Sequence, residues 1–279
     1  MSRSPFADSP EFQRLVTGER PLHLARIALE IAQDAYPDLD IDSHLRRIRE
    51  LADRVRARCP AGRRVRDILG QINWVLFVEE ELRGNQEDYY DPRNSYLNEV
   101  LDRRLGIPIS LSVLYLAVAE PLGLAMAGVN LPAHFMLRVD EGETLWLVDP
   151  FHAGDVMDRA ACERRLSEIL RQPVTLTDST LAACSIAVIV TRMLSNLKAI
   201  YLRLEDVPSA LPVQRRLAAL NPQDAGELRD LAMLCLQADR PGEAIDPLQA
   251  YLDTAPPDAQ AQQIRALLEV VRRRLAQWN

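Results

Sequence analysis

Residues 89–154 read YYDPRNSYLNEVLDRRLGIPISLSVLYLAVAEPLGLAMAGVNLPAHFMLRVDEGETLWLVDPFHAG, and this stretch decides the fold of the chain. One long apolar segment is followed by three short apolar runs, which turn residues separate. A segment that is apolar on every side predicts a buried helix, and short apolar runs between turns predict strands. We therefore predict an α+β fold, mostly helical, in which a central helix packs on a small antiparallel sheet.

The central helix is predicted over residues 109–120. Pro108 suits its first position, because the N–H that proline lacks has no partner there in any case. Ser110 and Ser112 fall in the first turn. Free N–H groups and the positive end of the helix dipole favour an anion or a developing oxyanion at this place. Both serines are therefore candidate site residues.

Three strands are predicted at residues 124–131, 134–139 and 144–149. If Glu141-Gly142 is a two-residue hairpin loop, His134 lies directly opposite Asp149, with the two Cβ atoms about 5 Å apart. A histidine oriented by an acid is the second half of a catalytic triad. The hairpin thus predicts that His134 and Asp149 meet on one face of the sheet.

Three segments of this stretch are similar to the SirB family of transglutaminase-like proteins: NSYLNEVLDRRLGIPISLSVLYL (94–116), GVNLPAHFMLRV (128–139) and LVDPFHAG (147–154). Members of that family commonly carry tetratricopeptide-type helices after a papain-like core. The resemblance implies that His134 and Asp149 occupy the positions of the superfamily's catalytic His and Asp. It also covers Asn94, Asn98 and Glu99, to which no spacing assigns chemistry; we expect Asn94-Ser95 to cap the helix that follows.

The superfamily's nucleophile, a cysteine at the start of the central helix, is missing here. Pro108, Ser110 or Ser112 stands in its place, depending on how the helix start is aligned. A cysteine at a helix N-terminus readily yields a thiolate, whereas a serine would need His134 as its general base. Transglutaminase chemistry is not expected, and the candidate triad is Ser110, His134 and Asp149, either active or vestigial.

The remaining cysteines and histidines give no clear second site. Cys59, Cys162, Cys184 and Cys235 are scattered without a CxxC pair, and the four histidines lack a metal-ligand spacing, so we predict neither a metal nor a cofactor. Cys162 precedes Glu163-Arg164-Arg165, and these cations favour a lowered pKa. It is a minor candidate for a displaced nucleophile, because it follows His134 and Asp149 in the chain, the reverse of the superfamily order.

Charge and hydropathy narrow the range of partners. The net charge is −7 and the pI is about 5.3, which argues against binding to nucleic acid or to an anionic membrane surface. The first residues hold no apolar signal segment, and no apolar run reaches the length of a membrane span. A cytoplasmic protein is expected.

Three parts are predicted along the chain. Residues 1–88 form an N-terminal region of three helices (22–36, 42–58 with Asp42-Ser43 as cap, and 65–82) packed on the core. Residues 89–178 form the transglutaminase-like core, which ends with a helix at 156–171 and an edge strand at 174–177. Residues 179–279 form helical repeats with a capping helix at 259–278.

The repeats rest on an offset of 34 residues, which is the period of tetratricopeptide repeats. Apolar or small residues recur at this offset in the following pairs: Leu194 and Leu228, Leu197 and Leu231, Tyr201 and Cys235, Ala210 and Ala244, Leu217 and Tyr251, Pro222 and Pro256. Lys198 interrupts the pattern, because the second copy has Ala232 there.

Two functions remain open from the sequence. The favoured one is a non-catalytic interaction or regulatory protein, with a degenerate core and with repeats that bind a protein or peptide partner. The alternative is an acyl hydrolase or amidase of ester or amide bonds, in which Ser110 attacks, His134 is the base and Asp149 orients it. Whether the chain is an enzyme is left undecided, with the balance toward a pseudoenzyme.

Overall fold

A computed structural model describes residues 6, 8–59, 64–131, 134–142, 144–254 and 258–276. Within these ranges the chain is mostly helical, with twelve α-helices and a small antiparallel sheet, as predicted. The Cα positions divide it into two compact units, Met1–Met193 and Leu194–Asn279. None of the described helices is long and apolar enough to cross a bilayer.

Four helices precede the core, one more than predicted. They are α1 (Pro10–Thr17), α2 (Leu24–Ala32), α3 (Ile41–Arg58) and α4 (Val65–Asn73), which continues as a π-helical segment, Trp74–Glu79. The predicted cap of α3 is wrong, because Asp40 is the N-cap and its carboxylate accepts from Ser43 N at 3.0 Å. The sequence also predicts that Cys59-Pro60-Ala61-Gly62 ends this helix, and residues 60–62 of that segment lie outside the described residues.

The central helix forms as predicted. After a short parallel pair, β1 (Arg83–Gly84) with β2 (Leu105–Gly106), and after α5 (Leu97–Arg103), helix α6 spans Pro108–Ala119. Pro108 occupies its first turn. A 3-10 turn follows the helix and ends at Gly123, whose backbone is left-handed. The helix is buried on nearly every side, because α2, α3, α5 and the sheet surround it.

The sheet has four antiparallel strands in the order β3 (Met126–Leu131), β4 (His134–Glu141), β5 (Thr144–Asp149) and β6 (Asp155–Met157). The first three match the predicted strands, and β6 was not predicted. The edge strand predicted at 174–177 does not form. Side chains of the preceding helix accept from its backbone N–H groups instead: Ser167 accepts from Val174 N and Glu163 from Leu176 N.

The predicted register of the β4–β5 hairpin is wrong by two residues. Glu141 pairs with Thr144, and Gly142, which follows Glu141, has φ 64°. Glu141 stays in the strand because its carboxylate accepts from Val65 N and from Trp146 Nε1. A two-residue shift preserves the face on which each side chain lies.

The two faces of the sheet pack on different helices. Phe135, Leu137 and Val148 share a core with α6, whereas Met136 and Leu147 share one with α7 (Arg159–Leu170). Because successive side chains of a strand point to opposite faces, His134 lies on the α7 side of the sheet. Leu131 of β3, which pairs with His134, lies on the same side.

The C-terminal helices confirm the repeat. They are α8 (Ile186–Arg203), α9 (Val207–Leu220), α10 (Ala225–Gln237), α11 (Pro241–Thr254) and α12 (Ala259–Ala276). Helices α9 and α11 begin 34 residues apart and end 34 residues apart, and the paired positions Ala210 and Ala244 are both fully buried. Pro256 and Trp278, which the predicted repeat and capping helix include, lie outside the described residues.

Candidate functional site

His134 and Asp149 lie together at one end of the sheet. His134 begins β4 and Asp149 ends β5, so the antiparallel pairing brings both to the same edge. His134 Nε2 lies 2.9 Å from Asp149 Oδ2, and both side chains are buried. The predicted contact is therefore present despite the wrong register, because a diagonal neighbour on the same face is still within reach of a long side chain.

Asp149 is the centre of a larger hydrogen-bond cluster. Its Oδ2 also accepts from His152 Nδ1 at 2.8 Å and from Arg165 Nη1 at 3.2 Å, while Oδ1 accepts from Phe151 N. Burial alone would raise the pKa of Asp149. The hydrogen bonds from His134 and His152 outweigh burial and hold the pKa well below its usual range. The carboxylate is therefore ionised at neutral pH.

His152 and Arg165 were not predicted as members of this cluster. For His152 a local signal existed. Asp149 caps the 3-10 turn Pro150–His152, and in such a turn the side chain three positions after the cap, here His152, can contact the capping side chain. Arg165 comes from α7 and also binds Asp155 at 2.8 Å, a contact between distant segments that no local pattern reveals.

Aromatic rings surround this cluster. Phe151 makes edge contacts with His134, His152 and Tyr89, and Tyr89 in turn contacts Tyr90. Burial raises the pKa of Tyr89. Phe151 is held by close packing on Gly84, where a Cβ atom would lie 2.5 Å from the ring. The cluster therefore packs against closely packed aromatic rings.

Ser110 is not hydrogen-bonded to the histidine. Its Oγ accepts from Ile107 N at 3.0 Å and donates to Asn94 O at 2.5 Å, and the side chain is buried. No described hydrogen bond joins Ser110 to His134. The helix that carries Ser110 packs on the sheet face of Phe135, whereas His134 falls on the opposite face. The hydroxyl proton is thus directed at a backbone carbonyl rather than at an imidazole.

The other two residues aligned with the lost cysteine offer no better nucleophile. Pro108 has no ionisable group. Ser112 is completely buried, and its Oγ has no hydrogen-bond partner among the described residues. The structure therefore brings two of the three candidate triad residues together, His134 and Asp149, and leaves both serines elsewhere.

Asn94 has a structural role that differs from the predicted one. The N-cap of α5 is Tyr96, without a side-chain bond, so the predicted cap is wrong. Asn94 is fully buried and anchors the preceding loop instead, because its Nδ2 donates to Asp88 O and its Oδ1 accepts from Asn85 Nδ2. Asn98 is also buried, and Glu99 lies in the first turn of α5.

Cys162 is not an activated thiol. It is fully buried beside Met136, and burial, together with the charge of Asp149, raises its pKa to about 11. The prediction of a lowered pKa is wrong because desolvation and the nearby carboxylate outweigh the effect of Arg165. Cys162 fills the core between α7 and the sheet.

One group of side chains in the described part of the chain has the composition of a metal site. One ligand atom each from His134, Asp149 and His152 lies within 4.8 Å of the others. Two imidazole nitrogens and a carboxylate oxygen suit a first-row divalent cation such as zinc.

Comparison with protein families gives two matches. The model of the Transglutaminase-like superfamily matches residues 42–195, and the model of the Tetratricopeptide repeat matches residues 197–269. The first covers more than half of the chain and includes His134 and Asp149. No solved structure matches the chain.

Relatives occur in bacteria and in animals. A UPF0162 protein of Xylella fastidiosa is 31% identical over 93% of this chain and 94% of its own. Protein SirB1 of Salmonella typhimurium is 28% identical over 63% of this chain and 65% of its own. F-box only protein 21 of Mus musculus is 36% identical over 47% of this chain, which corresponds to 21% of that protein.

Proposed function

Because the chain belongs to the Transglutaminase-like superfamily and its α6 begins without a cysteine, we propose that it is a non-catalytic interaction or regulatory protein. It is a SirB-like member, in which the core is followed by tetratricopeptide repeats. Its repeats bind a protein or peptide partner, while residues 89–178 serve as a scaffold.

The hydrogen bonding of Ser110 carries this proposal. A serine that acts as a nucleophile must pass its proton to a base within about 2.6–3.2 Å. Ser110 Oγ instead satisfies Ile107 N and Asn94 O, two backbone groups that burial cuts off from water. Using Ser110 as a nucleophile would leave both groups without a partner, at a cost of about 1–3 kcal/mol each.

The surface of the second unit supports a binding role. Its described residues expose four large apolar side chains: Leu202, Leu204, Met233 and Val270. Tetratricopeptide repeats generally mediate contacts between proteins, and helical arrays of this kind present extended binding surfaces. We assign the protein to the cytoplasm, where reducing conditions keep its four free cysteines as thiols.

The binding role is tested by quantitative partner capture with the full chain. Met233→Glu places a charge on the repeats, and Val188→Glu is the matched control, because Met233 and Val188 are both 39% exposed. We expect at least one protein to be retained by the wild type and by the control and lost with Met233→Glu. A set of captured proteins that does not differ among the three chains would contradict the assignment to this surface.

A second function, an acyl hydrolase or amidase, is favoured by the buried pair itself. His134 Nε2 donates to Asp149, so Nδ1 is the ring nitrogen left to act as a base. In this scheme Ser110 attacks, Asp149 orients His134, and the N-terminus of α6 stabilises the oxyanion. The scheme requires Ser110 Oγ to leave its backbone partners.

Labelling with a fluorophosphonate separates the two functions. We expect no adduct at Ser110 when the folded protein is treated and digested for mass spectrometry. A stoichiometric adduct at Ser110 that disappears in His134→Ala would establish the hydrolase and overturn the non-catalytic proposal. A known serine hydrolase added to the same reaction serves as a positive control, because its labelling shows that the probe is active.

A further inference from the structure

We propose that His134, Asp149 and His152 bind a zinc-like divalent cation, with a fourth position open to water. The three side chains come from one end of the sheet and from the turn that follows it. The sequence predicted no metal here, because the two histidines are eighteen positions apart and follow no ligand motif. A cation at this place is independent of the partner-binding role proposed above.

The ligand atoms already converge. His134 Nε2 and His152 Nδ1 lie 2.9 and 2.8 Å from the same oxygen, Asp149 Oδ2. Zinc holds nitrogen and oxygen ligands at about 2.0–2.2 Å, which in a tetrahedral site separates two ligand atoms by about 3.4 Å. Admitting the ion therefore requires each of these contacts to open by about half an ångström.

The metal-free arrangement crowds one oxygen. Asp149 Oδ2 receives three nitrogen donors, from His134, His152 and Arg165, although a carboxylate oxygen offers only two lone pairs. A cation between the two imidazoles replaces two of these donors by a single bond. Each neutral imidazole then presents a bare nitrogen to the ion, and the proton that it donated to Asp149 Oδ2 moves to its other ring nitrogen.

The groups around the ligands suit this exchange. Phe151 N holds Asp149 Oδ1, so the orientation of the carboxylate is set by the backbone of the turn. Arg165 has a second partner, Asp155, at 2.8 Å, and retains it when Oδ2 turns to the ion. The two carboxylates and one guanidinium leave one negative charge to offset the cation.

Solvent reaches the site through one ligand. The side chain of His152 is 36% exposed, whereas those of His134 and Asp149 are 5% and 0% exposed. An ion therefore enters past His152, and the fourth position faces the same opening. This resembles zinc sites with three protein ligands and one water, rather than closed structural sites.

The test uses the full chain, stripped with a chelator and titrated with zinc chloride in a calorimeter. We expect one equivalent to bind. Because loss of a group that only orients a ligand costs 10–100-fold in affinity, loss of the ligand in His152→Ala should weaken binding by about 100-fold or more. His23→Ala, which removes an exposed histidine elsewhere, is the matched control and should bind as the wild type does.

Two further measurements decide the identity of the ligands. Cobalt bound to the wild type should show the visible absorption of a tetrahedral ion, and X-ray absorption of the zinc form should show imidazole and oxygen ligands without sulfur. The double variant Cys59→Ser, Cys184→Ser removes the two partly exposed thiols and should leave binding unchanged. Failure to bind one equivalent, sulfur in the zinc shell, or unweakened binding in folded His152→Ala would overturn the proposal.

Discussion

Two serines on one helix illustrate how residue type alone fails to identify a nucleophile. Ser110 and Ser112 are both buried in α6, and either stands near the place of the missing cysteine. Ser110 satisfies two backbone groups, whereas Ser112 Oγ has no partner among the described residues. Replacing Ser110 should therefore cost more stability than replacing Ser112.

Ser110→Ala is expected to destabilise the protein by about 1–3 kcal/mol, because it leaves Ile107 N and Asn94 O buried without a partner. Ser112→Ala should change stability by less than about 0.5 kcal/mol or increase it, because an unsatisfied hydroxyl is removed. Urea unfolding of both variants provides the measurement. Equal losses in the two variants would contradict the structural role assigned to Ser110.

At the scale of elements, the end of β5 is fixed by contacts with a distant helix. Gly154 N donates to Asp149 O and closes the turn, while Asn73 at the end of α4 donates to Gly154 O at 2.8 Å. Gly154 has φ +73°, and a Cβ there would lie 2.0 Å from Asn73 Oδ1. Asn73 Oδ1 in turn accepts from the buried hydroxyl of Tyr115 on α6.

Gly154→Ala should therefore cost about 3 kcal/mol or more, from the left-handed backbone and the overlap with Asn73. Gly123→Ala is the matched control, because Gly123 has φ +72° and nothing within 4 Å of a built Cβ. It should cost about 1–2 kcal/mol from the backbone alone. Thermal unfolding compares the two variants. Equal decreases in Tm would show that the contact with Asn73 adds nothing to the cost of Gly154→Ala.

The interruption of the repeat pattern also has an explanation at this scale. Lys198 on α8 donates to Glu227 and to Asp230 on α10, at 2.9 and 2.8 Å. Burial lowers the pKa of Lys198, but these hydrogen bonds outweigh burial and raise it. A lysine is thus accommodated where the second copy has Ala232, because its ammonium group binds the carboxylates of Glu227 and Asp230, which lie one helical turn apart.

At the scale of the whole molecule, four arginines of α3 are paired with acidic side chains. Arg47 pairs with Asp102, Arg54 with Glu79 and Glu80, Arg56 with Asp53, and Arg58 with Glu79. Each pair is exposed and adds little stability. Together the acidic partners offset the charge of four of the six arginines on α3.

The protein should therefore show no binding to heparin or to double-stranded DNA, even at low salt, where phosphate contacts are strongest. Elution from a heparin column and gel retardation are the measurements. Glu79→Gln with Glu80→Gln, which frees Arg54 and Arg58, tests whether the pairing masks the arginines. Salt-dependent retention of the wild type would contradict this reading of the −7 charge.

Periodic patterns allowed much of the fold to be predicted from the sequence alone. The all-apolar run of α6, the short apolar runs and turns of β3 to β5 and the 34-residue offset of the repeats each extend over many positions. An error of one or two residues in a boundary therefore does not change these predictions. The contact of His134 with Asp149 was predictable for the same reason. A register error of two residues leaves both side chains on one face.

Only the tertiary structure decided what surrounds that pair. Arg165 of α7 donates to Asp149, and the hydroxyl of Ser110 donates to Asn94 O. Burial and a nearby carboxylate raise the pKa of Cys162. These facts depend on distances between segments far apart in the chain and on exclusion of water, and neither leaves a trace in local sequence. The sequence determined the central helix, strands β3 to β5 and the repeat helices, whereas packing determined which polar atoms remain available for chemistry.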